Sequence, residues 1–188
     1  MLLADGTMGQ MMEPVILPEP HESHIDKPWA VTGTQMKRRH NIVNSLYLDP
    51  AELEKTNIER FERYKLIEEN EARYESFMTE DAEIVVVAFG IAARVSKNAV
   101  AAARKEGIKA GLIRPITVWP FPKKPISELA EKVKGFISVE LSMGQMIEDI
   151  KLAENCIRPV ELCFRAGGMI PSPEQVLDSI RKMQGGKK

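Results

Sequence analysis

Cysteine is scarce in this 188-residue chain: Cys156 and Cys163 are the only two, without a CxxC pairing. That argues against a disulfide framework and against a self-contained iron–sulfur or zinc site. An excess of charge of either sign is also lacking. With 26 basic against 27 acidic residues, nothing points to a nucleic-acid surface. No apolar run approaches a membrane span, and the first residues lack the basic-then-apolar pattern of a signal peptide. The expectation is a cytoplasmic, reduced protein with neither nucleic acid nor membrane as partner.

Nucleotide signatures are thin as well. The turn Ala88-Phe89-Gly90-Ile91-Ala92-Ala93-Arg94 has one glycine where a dinucleotide fingerprint needs three, and there is neither a P-loop nor a nucleophile-elbow serine. A helix starting there still offers an anion its N-terminus, although close strand–helix packing is the preferred reason for Gly90. Asp5-Gly6 does not open a thiamine-diphosphate metal motif: residue 4 is alanine, and Asn41 and Asn44 lie too far along to supply the magnesium ligand. His21 and His24 stand three apart with no further ligands nearby, too few for a closed zinc site. The basic patch Lys37-Arg38-Arg39-His40 reads as a solvated loop or a phosphate contact.

What is present is a run of β-branched residues, Ile84-Val85-Val86-Val87, with no polar alternation. That pattern belongs to a strand covered on both faces, as in a parallel sheet. An alanine-rich helix over 91–105 follows, Gly107 closes it, and a second strand over 110–113 completes a βαβ unit. Four prolines over 115–125 then impose an ordered loop, Arg114 to Pro125, at the carboxyl end of a parallel strand, where open α/β sheets place ligands and interfaces. Its Trp119 and Phe121 need cover, from this domain or from a neighbour. A short helix over 126–134 closed by Gly135, a strand over 136–140, a helix over 143–155, a strand over 159–164 and a helix starting at Ser172-Pro173-Glu174-Gln175 complete the pattern.

Upstream, Asp49-Pro50 caps a long amphipathic helix expected to reach about Met78, and residues 1–4 read as a strand, as though the chain opened partway through a domain. Met-Gly-Gln-Met occurs twice, at Met8 and at Met143, which suggests two βα turns of one type. The expected organisation is therefore a remnant of a preceding domain over 1–20, a linker with a long helix over 21–80, a three-layer α/β domain with a mostly parallel sheet over 81–184, and a disordered tail over 185–188.

The stretches AEIVVVAFGIAAR, AVAAARKEGIKAGLIRPITVWPFP, ISVELSMGQMIEDI and FRAGGMIPSPEQV resemble the α subunit of 2-oxoacid:ferredoxin oxidoreductases in its transketolase C-terminal-like domain. KPWAVTGT and RHNIVNSLYLDPAELEKTN look most like the branched-chain, 3-methyl-2-oxobutanoate (2-ketoisovalerate) enzyme, with the 2-oxoglutarate and pyruvate enzymes as near alternatives. The resemblance implies oxidative decarboxylation of a 2-oxoacid with coenzyme A, giving acyl-CoA, carbon dioxide and reduced ferredoxin. It implies thiamine diphosphate, magnesium and iron–sulfur clusters in the full complex, none of them held by this chain alone. It also implies β and γ subunits, a δ ferredoxin-like subunit in some complexes, ferredoxin as acceptor and a homodimeric contact. LLADGTMGQMMEP resembles the end of the preceding pyrimidine-binding domain, so the activating glutamate is absent and the isolated chain is expected to be inactive. No catalytic or metal-binding residue is assigned. The candidates for an interface or active-site edge are Arg114, Trp119, Phe121, Glu140, Gly144 and Gln145, with an Arg114–Glu140 salt bridge or a bridge to another subunit weighed against a substrate-side role.

Overall fold

The fold is that of a computed structural model, which describes residues 1–22 and 25–185. Two compact units emerge: Met1–Met11 together with Lys65 onward, and Met12–Tyr64. The first is the α/β domain. Its five-stranded sheet has the order β1-β3-β2-β4-β5, with β1 (Tyr74–Phe77) antiparallel to β3 (Ala110–Pro115), and β2 (Ile84–Val87), β4 (Gly135–Glu140) and β5 (Val160–Phe164) parallel to it. The unalternating valine run is indeed the centre: every residue of β2 is buried. Ile84 and Val86 pack toward α3 (Gly90–Lys105) and α6 (Pro173–Gly185), while Val85 and Val87 pack toward α4 (Lys123–Ala130) and α5 (Met146–Ala153). Helices on both faces of a mostly parallel sheet give the expected three-layer α/β architecture.

Local chemistry sets the helix ends. Ser172 and Gln175 form a reciprocal capping box at α6, with Gln175 N donating to Ser172 Oγ at 3.2 Å and Ser172 N donating to Gln175 Oε1 at 3.0 Å. Asp49 Oδ1 accepts from Glu52 N at 2.9 Å and starts α2 (Pro50–Glu71). Arg104 and Lys105 close α3, where cations suit the helix dipole.

Several elements differ from expectation. The helix expected to run to about Met78 stops at Glu71, and Tyr74–Phe77 is strand instead. The outer edge of β3 would otherwise leave its ladder groups unpaired, and that pairing outweighs helical periodicity. Residues 1–4 are not a strand but exposed irregular chain, with no neighbouring strand to pair with, leading into the single turn α1 (Gly6–Gly9). Gly135 begins β4, paired with Ile84 of β2, rather than ending a helix, and a Cβ there would lie 2.8 Å from Pro159 O, so the strand needs glycine at this point. The two Met-Gly-Gln-Met turns are not of one type: the first lies in and just beyond α1, the second runs into the start of α5. The sheet also starts before residue 81, and residues 1–11 group with the α/β unit while 12–20 group with the other. Of the tail, Gly185 closes α6 and the rest lies outside the described residues.

Candidate interface at the carboxyl edge of the sheet

The chain leaves β2 into α3 on one face and leaves β4 into α5 on the other. These adjacent strands thus make the topological switch point at which open α/β sheets form a crevice. Its two walls are the turn at Phe89-Gly90 and the turn 141–145.

At the first wall an anion does sit on the helix N-terminus, and it belongs to the protein. The carboxylate of Asp5 accepts from Ile91 N through Oδ2 at 3.3 Å and from Met8 N through Oδ1 at 2.7 Å. Gly90 adopts φ +58°, and a Cβ on it would approach Asp5 Oδ2 to 3.0 Å. A nucleotide phosphate would therefore meet a carboxylate where it needs bare N–H groups. Sequence reasoning missed this role of Asp5, because its partner lies 86 residues away.

At the second wall Glu140, 4% exposed, ends β4 and turns its carboxylate onto the start of α5. Oε1 accepts from Ser138 Oγ at 2.7 Å and Ile147 N at 2.9 Å; Oε2 accepts from Ser142 Oγ at 2.7 Å, Gln145 N at 2.8 Å and Met146 N at 3.2 Å. Burial works to raise its pKa, but these donors outweigh it, led by the Gln145 amide with the Ser142 and Ser138 hydroxyls, and hold the carboxyl below its ordinary 4.5. A carboxylate so fully supplied with donors is a poor general base and a strong anchor. Gly144 completes the turn at φ +104°, where a Cβ would press to 3.1 Å from Leu162 Cδ2.

The other candidates separate. Arg114 Nη1 donates to Glu75 Oε2 at 2.8 Å on the antiparallel edge. Of the readings weighed for this pair, the Arg114–Glu140 bridge does not form, since β2 lies between their strands and Glu140 is engaged elsewhere. Phe121 is buried at 9% in the core cluster that includes Val87, Ile126 and Ile150, whereas Trp119 of the same loop stays 56% exposed. The loop is held in place by Ile116 N donating to Arg73 O at 2.9 Å and Thr117 Oγ1 donating to Pro120 O at 2.8 Å. Gln145 contributes its backbone N–H, with its side chain exposed. Lys37, Arg38, Arg39 and His40 are exposed, and of the histidine pair His24 lies outside the described residues. Among the described residues no three His, Cys, Asp or Glu side chains gather to hold a metal. With Asp5 on the one helix N-terminus that faces the crevice from β2, the residues present do not fit a diphosphate with its cation.

The pattern of the pyruvate:ferredoxin oxidoreductase core domain II family matches residues 82–176, half of the chain and the whole central sheet apart from β1. The chain belongs to this family. Its relatives include ketoisovalerate oxidoreductase subunit VorB of Methanothermobacter marburgensis, 51% identical over 98% of this chain and 52% of that protein. The 2-oxoglutarate synthase subunit KorA of the same organism is 38% identical over 56% of this chain and 28% of its own length. The chain spans about half the length of the VorB proteins it matches, at 52% of each. Among solved structures, 2-oxoglutarate:ferredoxin oxidoreductase from Magnetococcus marinus with 2-oxoglutarate, coenzyme A and succinyl-CoA bound superimposes with TM-score 0.64 at 20% identity, over 80% of this chain and 26% of that one. A split-gene transketolase in an inactive β4 tetramer gives 0.52 at 17% identity, over 60% of this chain and 41% of that one. Both share the fold of this core domain II chain, so the transketolase-like architecture read from the sequence is the one observed.

Proposed function

We propose that this chain is the structural and assembly part of the α subunit of a thiamine-diphosphate-dependent 2-oxoacid:ferredoxin oxidoreductase. The substrate class is a branched-chain 2-oxoacid of the 2-ketoisovalerate type, converted with coenzyme A to acyl-CoA and carbon dioxide while ferredoxin is reduced. The observation that carries this reading is the 51% identity across 98% of the chain with ketoisovalerate oxidoreductase subunit VorB. The 2-oxoglutarate enzymes stand further off, at 38% identity over 56% of the chain.

In this reading the chain brings no reacting group. Thiamine diphosphate, magnesium and the iron–sulfur clusters are held by other parts of the complex, and the β and γ subunits, with a δ ferredoxin-like subunit where one exists, dock on the scaffold. The support is chemical: Glu140 is tied to five donors, and Asp5 occupies the α3 terminus. What remains at this edge is a rigid set of turns, Arg114 to Phe121 and Glu140 to Gln145, suited to holding a neighbour. Cytoplasmic residence follows from the same reading.

Co-expression with β and γ subunits of the branched-chain type tests it. Co-purification of this chain is expected, alongside a full-length α subunit as the positive control. Failure to join subunits that the control joins normally would sink the assembly role. For the substrate class, the complete complex should reduce a ferredoxin surrogate faster with 2-ketoisovalerate than with 2-oxoglutarate.

A further inference from the structure

β1 covers the edge of β3 and leaves an edge of its own. Ile116 N donates to Arg73 O, which makes 73 and 116 a hydrogen-bonded pair. Antiparallel alternation passes the same role to Glu75–Arg114 and Phe77–Leu112. Tyr74 and Ser76 fall between these pairs, so their N–H and C=O groups point away from the sheet. Pro115, which has no N–H to give, stands opposite Tyr74. Among the described residues no second strand takes up those four groups. Proteins ordinarily blunt such an edge with lysine, proline or a bulge, and the sequence Tyr-Glu-Ser-Phe, in unbroken register with β3, has none of them. Its one charge, Glu75, is already paired with Arg114.

Both ends of β1 are fixed. Arg73 N donates to Thr117 Oγ1 at 2.9 Å before it, and Met78 O accepts from Arg104 Nη2 at 2.7 Å after it. A strand arriving here meets ordered backbone, which lowers the entropy cost of docking. Beside the edge, on the face that α4 covers, lies a cavity of about 190 Å³. Tyr74, Ser76 and Ile113 line it from the sheet, and Glu128 and Leu129 line it from α4. Sites for drug-sized ligands run to roughly 300–1,000 Å³, so this cavity suits a single side chain better than a free small molecule. Its charge is acidic. Glu80 and Glu128 stand there against one cation, Lys132, and none of the three has an ion-pair partner among the described residues. Tyr74, 43% exposed, adds an aromatic ring favourable to a cation. An extended segment laid on β1 would turn every second side chain to this face.

We propose that the outer edge of β1 is a strand-addition site for another polypeptide, an extended segment that bonds to the Tyr74 and Ser76 backbone and places a Lys or Arg in the cavity beside Glu80 and Glu128. The inference goes beyond the assembly role proposed above and does not depend on it.

Fluorescence anisotropy with the full chain tests it, using a labelled hexapeptide of alternating valine and lysine as the probe. Saturable binding is expected, about tenfold or more weaker for the valine–glutamate analogue. Ser76→Pro removes an outward N–H and leaves the ladder to β3 intact, so it should weaken binding about tenfold or more. Glu128→Lys, at an exposed position of α4 where the fold is not at risk, should do the same by charge. N-methylation of the peptide separates strand addition from simple charge attraction and needs no variant to fold. Methyl groups on one set of alternate backbone nitrogens should abolish binding, and on the other set should change it by no more than about twofold. Absence of binding, equal binding of the glutamate peptide, indifference to either substitution, or equal loss from both methylated sets each overturns the proposal. A chain that pairs with itself through this edge, as a dimer that Ser76→Pro dissolves and the peptide fails to displace, overturns it as well.

Discussion

Residues 65–185 carry 57 apolar side chains in 121 positions and residues 12–64 carry 19 in 53, and the two regions use them differently. In the first region Ile84, Phe136, Ile137, Ile150 and Ile180 are fully buried, layered on both faces of the sheet. In the second no described residue is buried: Val15, Ile16, Leu17, Trp29, Ile42, Val43 and Leu46 all face solvent. Composition contributes to the difference, but a third of residues 12–64 is still apolar and none of it is buried, so pairing decides. Strands 110–115 and 135–140 find partners in register and recruit helices to cover them, whereas the prolines at 18 and 20 and the long α2 offer no second layer. Apolar residues stabilise a fold only when a neighbouring element removes them from water.

Substitutions can break this contrast, beginning with the largest effect. Ile137→Ala, in the middle of β4, is expected to cost about 2–5 kcal/mol by chemical denaturation, while Ile42→Ala should shift stability by no more than about 0.5 kcal/mol. Equal losses at the two sites would show that residues 12–64 belong to the cooperative core after all. Glu140→Gln comes next, at about 2–3 kcal/mol near neutral pH, because an amide cannot accept from all five donors.

That Glu140 loss has a pH signature. The folded carboxyl titrates below its ordinary value of 4.5, so the parent binds a proton more readily when unfolded. Its contribution is complete above the unfolded pKa and disappears as pH falls through the folded one. The gap in melting temperature between parent and Glu140→Gln should therefore narrow as pH falls below the ordinary 4.5 and close once the folded carboxyl is protonated, and parallel curves would deny the carboxylate its anchoring role.

Gly111→Ala should cost about 1–3 kcal/mol, since the new Cβ would lie 2.6 Å from the Met78 carbonyl oxygen, a backbone atom with little room to retreat. Arg114→Ala sits at the small end, within about 1 kcal/mol, because its pair with Glu75 is exposed on both sides. Limited proteolysis sharpens the comparison without any mutation. First cuts are expected within 12–64, with the fragment from about residue 65 onward persisting; initial cleavage inside β2 to β5 would reverse the assignment.

Some of this was legible in the chain itself. The valine run announced a strand with two covered faces, Ser172 to Gln175 announced a helix start, and the four-proline loop announced an ordered corner. Glu140 could be picked out by its place at a strand end, but not the five donors that converge on it. Tyr74–Phe77 was harder, since four residues alternate too briefly to outvote the helical spacing before them.

Residues determine local geometry because torsional preference, capping and two-sided burial act over a few positions, and those fixed the α/β class, most of the element order and the domain family of this protein. Long-range pairing decided the rest: that Asp5 closes the N-terminus of a helix 86 residues further on, that Arg114 turns to Glu75, and that β2 and β4 lie side by side at the centre of the sheet. Such partners carry no mark in their own neighbourhood, because a hydrogen bond or ion pair between distant segments costs nothing to sequence pattern until the sheet brings its ends together.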